Sequence, residues 1–344
     1  MSAERLPDRF ESVAALEDFM TEPAPALIAD LARVPGDILV LGAAGKMGPT
    51  LARMAKRAAP GKRVVGVARF TDPAARAALQ AAGVETIACD LLDRRAVAAL
   101  PKLDNLVFMA AMKFGATGNP ALTWAMNVHV PAIVAETFPA ARIVAFSTGC
   151  VYPFVPVAGG GATEDTPAVP PAGDYANSCA GREHMFEHFS ARLGTPGRLI
   201  RLNYAIDMRY GVLHDVATKV RDGVPIDLTM GHVNVIWQGD ANAAALRCLA
   251  RTTIPTSPIN VTGPETASVR WLAEEFGRRF GRAPVLTGTE AEAGWVSNAA
   301  RMVAELGRPR IPLEAMIGWT ADWLARGGAS LGKPTHYEVR DGRF

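Results

Sequence analysis

The sequence predicts an α/β chain: a doubly wound parallel sheet with helices on both faces, followed by a smaller C-terminal α/β lobe. Three observations carry this expectation. Short apolar runs alternate with helix-period segments from residue 37 to about residue 203. A glycine-rich turn joins the first apolar run to the first of those helices. Beyond residue 203 the apolar runs shorten and helices crowd between them. Strands alternating with helices form βαβ units, and these build parallel sheets covered on both faces.

Residues 1–36 read as a helical extension, two short helices separated by "EPAP". "DILVLG" (37–42) is a buried strand ending in glycine, and "KMGPTLARMAKRAA" (46–59) follows with helical spacing. "RVVGVAR" (63–69) is the second strand, "DPAARAALQAAG" (72–83) a helix, and "ETIACD" (85–90) the third strand. "NLVFMAA" (105–111) and "ARIVAFST" (141–148) continue the series, with a helix over about 120–137 between them. "YANSCAGREHMFEHFSARLG" (175–194) is helical, and "GRLIRLN" (197–203) closes the dinucleotide-binding segment 37–203. Segment 204–330 is expected to be mainly the substrate lobe. Its short strands are "NVIW", "PINVTG" and "APVLTG", and its helices cover about 240–250, 268–281, 297–307 and 313–328. Residues 331–344 are a tail.

Bulk properties narrow the function classes. The 344 residues carry a formal charge of +2, 49% hydrophobic and 20% charged residues. No basic run points to nucleic acid or an anionic membrane. Apolar stretches are broken well before the ~18 residues of a membrane span, and the acidic N-terminus is not a secretory signal. Cys89, Cys150, Cys179 and Cys248 form no CxxC pair, which suits reduced thiols in a cytoplasm better than a disulfide framework or zinc site.

"LGAAGKMG" places Gly42, Gly45 and Gly48 in a GxxGxxG spacing, with Lys46 and Met47 inside it, between a strand and a helix. Glycines there permit a tight turn and close approach of backbone to a pyrophosphate resting on the helix N-terminus. The end of the second strand usually carries an acid for the ribose hydroxyls of NAD. Here Ala68 and Arg69 stand there. Loss of the carboxylate and gain of a guanidinium favour a 2′-phosphate, hence NADP with NAD as the alternative. A solvated or adenine-stacked Arg69 is the plain reading.

With "GAAGKMG", "CDLLD", "FMAAMKFG", "STGCVY" and "YANSCAGRE", the chain resembles the extended short-chain dehydrogenase/reductase family over about residues 37–325. This family includes NAD(P)-dependent sugar epimerases and dehydratases on a Rossmann-type fold. The resemblance implies that Asp90, with Leu91 beside it, contacts adenine. Ala110, Ala111 and Lys113 would line the cofactor, and Asn127 matches an asparagine of the following helix. It also implies a catalytic hydroxyl at Thr148, with Ser147 adjacent, and an acid/base tyrosine at Tyr175. Asn203 matches a substrate-side asparagine, and Arg209, Tyr210 and His214 follow where a pocket is expected. Arg209 could hold a carboxylate bidentately, or simply be solvated.

Two departures stand out. Cys179 occupies the position of the family's lysine, and a thiol supplies no cation to ionise a phenol. Lys113 is the leading substitute; Arg182, two turns from Tyr175, looks too distant. Cys179 reads first as a packing residue, with a nucleophilic role as the alternative. The second departure is Val233, near which an arginine for a nucleotide diphosphate would fall. That favours a free sugar, sugar acid or polyol.

The expected function is an NAD(P)-dependent oxidoreductase acting on a secondary alcohol or ketone of such a carbohydrate-like substrate. One alternative is an epimerase or dehydratase that retains its cofactor; another is a non-catalytic NADP(H)-binding sensor. The Gly- and Pro-rich loop 157–174 is expected to face substrate. His184 and His188, though spaced i, i+4, find no third ligand, so no metal is expected. Trp237, Trp271, Trp295, Trp319 and Trp323 are expected to pack the lobe. A homodimer through the helices at about 120–137 and 175–193 is expected from the resemblance.

Overall fold

The computed structural model describes residues 6–113 and 118–340. Phe114 and Gly115 of the "FMAAMKFG" segment, with the extreme ends of the extension and the tail, lie outside the described residues.

Seven strands form one parallel sheet: Ile38–Leu41, Val64–Ala68, Glu85–Ala88, Asn105–Phe108, Arg142–Thr148, Gly197–Leu202 and Ser257–Val261. Counted along the chain, they lie in the order 3-2-1-4-5-6-7. The chain reverses direction between strands one and four, and ligands of open α/β sheets bind outside the strand ends at such a switch point. The helices are α1 (Val13–Met20), α2 (Pro25–Arg33), α3 (Gly48–Ala58), α4 (Pro73–Ala81), α5 (Arg94–Ala98), α6 (Pro120–Trp124) and α7 (Val130–Thr137). They continue with α8 (Asp174–Leu193), α9 (Val212–Asp222), α10 (Gln238–Arg247), α11 (Val269–Phe280), α12 (Ala300–Leu306) and α13 (Leu313–Ala325).

Successive strand residues point to opposite faces. Ile38 and Val40 join Val107, Val144 and Ile200 in one core, covered by Leu51 and Met54 of α3 and Leu27 and Leu31 of α2. Leu39 and Leu41 join Leu106, Phe108 and Leu199 in the other, covered by Ile133 of α7 and Phe186 of α8. Each such burial contributes about 1.5–3 kcal/mol, which explains why these strands read as unbroken apolar runs.

The lobe has its own core, with Val212 and Val216 of α9, Leu272 and Phe276 of α11, and Trp319 and Trp323 of α13. The N-terminal extension is built into both halves. Leu16 and Met20 of α1 enter the lobe core, whereas α2 lies on the sheet. Asp18 of α1 also accepts Arg53 at 2.8 Å and Arg57 at 2.9 Å, both on α3.

Several elements depart from the sequence expectation. "PINVTG" lies in the main sheet as its seventh strand, with Ile259 and Val261 in the same core as Ile200. Helices α10 and α12 cover that core too, so part of segment 204–330 belongs to the sheet half. Helix α5 was not expected; Asp93 caps it by accepting Arg95 N–H at 2.9 Å and Ala96 N–H at 3.1 Å. Helix α9 was not expected either, and it runs between Gly211 and Gly223. The helix over 120–137 is interrupted by a π turn, Ala125–His129. Trp271 is 43% exposed and does not pack the lobe core. Among the described residues no helix is long and apolar enough to cross a membrane.

Candidate active site

The glycine turn at the end of strand one forms the floor of a cleft of about 250 Å³. Gly42 has φ +93°, and a Cβ there would come within 2.7 Å of Ala110 N. A Cβ on Gly48 would come within 2.6 Å of Ala43 O. Glycine is therefore required for the turn at Gly42 and for the seating of α3 on the sheet at Gly48. No side chain caps the start of α3, so its first N–H groups are available to an anion. Arg69, Asp90, Leu91, Ala110 and Ala111 line the same cleft with Gly42 and Gly45. Arg69 and Asp90 are exposed, and Asp90 accepts Leu92 N–H at 3.0 Å. These residues could hold a dinucleotide, with a pyrophosphate at the uncapped helix and an adenosine end between Arg69 and Asp90.

Lys46 and Met47 do not line this cleft. Their side chains join a second cavity of about 150 Å³ with Thr148, Tyr175, Lys113, Asn203 and Tyr210. Strand five supplies Thr148, α8 supplies Tyr175, and the tail supplies Thr335. Burial pushes the Tyr175 phenol well above its ordinary range, and the neighbouring thiols of Cys179 and Cys150 reinforce this. The Arg182 guanidinium and a hydrogen bond with Thr148 act the other way. Arg182 thus acts on the tyrosine despite its two-turn separation. Its long side chain is buried, donating to Phe146 O at 2.9 Å and Asn127 Oδ1 at 2.8 Å.

Cys179 is fully buried beside Tyr175, and burial pushes its thiol pKa up. It sits as a small packing group in an apolar cluster. Lys113 Nζ stands 5.9 Å from the Tyr175 ring centroid and donates to Thr335 O at 3.2 Å. Burial pushes its pKa down.

Asn127 does not face the cleft. Its Oδ1 accepts Met112 N–H at 2.9 Å, and its Nδ2 donates to Met112 O at 3.0 Å and Ser178 Oγ at 2.9 Å. The π turn that carries it widens the helix and aims this amide at the strand-four loop. Ser147 lines the pocket beside Thr148, but its hydroxyl is committed, donating to Glu183 Oε1 at 2.5 Å. Glu183 in turn holds Arg201, with Nη2 at 2.7 Å from Oε2. Arg201 donates to Tyr152 Oη at 2.8 Å, and Tyr152 donates to Asn260 Oδ1 at 2.7 Å. This buried network beneath the pocket was not anticipated. Its signal in the sequence is Arg201, a charge within the apolar strand "GRLIRLN".

Arg209 is not brought to the pocket surface. It pairs with Asp207 at 3.0 Å and with Glu17 of α1 at 2.7 Å. Asn203 lines the pocket while its Nδ2 donates to Trp295 O at 3.2 Å. His214 is engaged by Met208 O at 2.9 Å and Ser330 Oγ at 3.0 Å. The loop 157–174 contributes no lining residue to this cavity. It is fastened from behind, where Glu164 accepts Asn260 N–H at 2.8 Å and Ala162 N–H donates to Val296 O at 2.8 Å. Val233 is buried in a short antiparallel pair with Ala267. Among the described residues no group of His, Cys, Asp and Glu could hold a metal ion.

Comparison with known proteins places this geometry. No curated protein matches the chain. A dTDP-glucose 4,6-dehydratase from Streptomyces venezuelae, solved with NAD and TYD bound, is 20% identical with a TM-score of 0.71, covering 84% of this chain and 97% of its own. The UDP-glucose 4-epimerase of Thermus thermophilus, in complex with NAD, is 22% identical with a TM-score of 0.66, covering 83% and 98%. Pal from Bacillus thuringiensis is 19% identical with a TM-score of 0.70, covering 84% and 99%. The model of the NAD dependent epimerase/dehydratase family matches residues 38–206, the stretch that carries the glycine turn, Thr148 and Tyr175. This match assigns the stretch, residues 38–206, to the NAD dependent epimerase/dehydratase family.

Proposed function

We propose that the chain transfers a hydride between a nicotinamide dinucleotide and a secondary alcohol or ketone of a small sugar-like molecule. The carrying observation is that Thr148 and Tyr175 line one pocket next to the glycine turn. Bound in the cleft, the cofactor supplies or accepts the hydride. Tyr175 gives or takes the proton that accompanies it. Thr148 hydrogen-bonds the reacting oxygen and holds it near the phenol. With its pKa raised, Tyr175 is protonated at neutral pH, so the pocket favours proton donation to a carbonyl and reduction is the easier direction.

Arg69 at the cleft supports NADP over NAD as the preferred cofactor. A free sugar, sugar acid or polyol is favoured over a nucleotide sugar, because buried Val233 stands near where the family resemblance implies a diphosphate-binding arginine. A second reading, an epimerase or dehydratase that keeps its cofactor through turnover, is supported by the likeness to a UDP-glucose 4-epimerase and a dTDP-glucose 4,6-dehydratase. Stoichiometric consumption of added cofactor favours the first reading; turnover without net consumption favours the second. Helices α7 and α8 remain the proposed dimer contact, checked by sedimentation.

The test is Tyr175→Phe. Turnover should fall by about 10²–10⁴-fold, with NADPH binding, read by fluorescence, within about twofold of the parent. In the parent, alcohol oxidation should rise about tenfold per pH unit from pH 7 to 9, as the phenolate fraction grows, while ketone reduction stays flat. An unaffected rate in the variant would place the acid/base elsewhere.

A further inference from the structure

The side chain of Lys46 leaves the glycine turn and enters the reaction pocket. Its Nζ donates to Ala205 O at 3.2 Å and lies 3.8 Å over the Tyr210 ring. Lys113 enters the same pocket from the strand-four loop, with its Nζ on Thr335 O at 3.2 Å. Among the described residues, no Asp or Glu lines this cavity. The nearby carboxylates are committed one layer behind. Asp207 pairs with Arg209 at 3.0 Å, and Asp215 accepts Thr335 N–H at 2.8 Å and Thr335 Oγ1 at 2.6 Å.

We propose that Lys46 and Lys113 form the anion-binding end of the reaction pocket, so that the substrate is a short polyhydroxy acid held by its carboxylate with its carbinol carbon facing Tyr175 and Thr148. This deepens the proposed function and rests on that reading of the pocket. Two ammonium groups that share one small cavity repel each other, and an anion between them reverses the sign of that interaction. Burial is the main cause that pushes Lys46 down to about 7; Asp207 opposes this, while Arg209 and Lys113 add to it. The cavity of about 150 Å³ is below the ~300 Å³ at the small end of ordinary ligand pockets, which suits a few carbons. The residue expected from sequence to hold a carboxylate, Arg209, is taken by Asp207 and Glu17.

The experiment is calorimetric titration of the full chain, saturated with NADP, against matched pairs: glycerate and glycerol, threonate and threitol, xylonate and xylitol, gluconate and glucitol. Inorganic phosphate forms a separate arm. At least one acid should bind ten-fold or more tightly than its alditol. Lys46→Met should abolish that preference with NADPH binding within twofold, and Lys46→Arg should restore it. Equal binding of acids and alditols, or binding of neither, overturns the proposal. Phosphate binding tighter than every acid overturns the carboxylate assignment. Loss of NADPH affinity in Lys46→Met assigns the lysine to the cofactor instead. Tyr175→Phe should keep the acid preference. If that variant also keeps full turnover, the reaction assignment fails while the anion site stands.

Discussion

Two cavities meet at residues 42–48, and they are walled differently. The cofactor cleft is shaped mostly by backbone: the absence of a Cβ at Gly42 and Gly48, an uncapped helix start, and small residues at 110 and 111. The reaction pocket is shaped by side chains brought from the glycine turn, strand five, α8, the segment after strand six and the tail. The cleft therefore depends on a few local conformations. The pocket depends on long-range packing, and on buried charges that must be paired correctly. A site of the first kind is written in a few short segments at strand ends; a site of the second kind is spread across the chain.

The contrast can be broken most forcefully at Glu183. Glu183→Ala leaves buried Arg201 and Ser147 without their acceptor and should cost about 3–5 kcal/mol, read by denaturant unfolding. A loss under about 1 kcal/mol would mean that the network does not support the pocket. Gly42→Ala forces a side chain onto a left-handed backbone and against Ala110 N at 2.7 Å. It should cost about 1–3 kcal/mol and weaken both NADH and NADPH; unchanged binding would show that the turn does not shape the cleft. The smallest expected effect is at Arg69. Arg69→Ala should weaken NADPH by about tenfold, or about 1.4 kcal/mol, and spare NADH. Equal loss for both cofactors removes the 2′-phosphate assignment.

Much of the cleft was legible because its determinants are local. Gly42, Gly45 and Arg69 line one cavity, as the glycine spacing and the end of strand two suggested, and Asp90, Leu91, Ala110 and Ala111 join them there, as the family resemblance implied. Five of the first six sheet strands were legible for the same reason, since each is a buried and largely apolar run; strand three, at the sheet edge, is half-exposed and was marked by its place in the alternation. Strand seven was assigned to the lobe because its return to the sheet crosses more than fifty residues, and no local signal marks that return. Lys46 was read with the cofactor because the glycine spacing says where its backbone goes but not where four methylenes carry its amine. Arg209 was read as substrate-facing because its partner Glu17 lies nearly two hundred residues earlier. Ser147 and Asn127 fall where the family pattern puts them, yet each is turned toward a buried polar partner that only the assembled fold reveals.

The first helices have a mechanical consequence. Helix α1 packs Leu16 and Met20 into the lobe core and its Glu17 grips Arg209, while Asp18 on the next position grips Arg53 and Arg57 of α3. A short link then carries the chain to α2 under the sheet. This works as a latch across the seam between the two halves. Swinging the lobe outward about a hinge would have to peel α1 from one side or the other. The lobe and the sheet should therefore melt together in one calorimetric transition, and ligands should enter through local motion at the pocket rim while the halves stay closed.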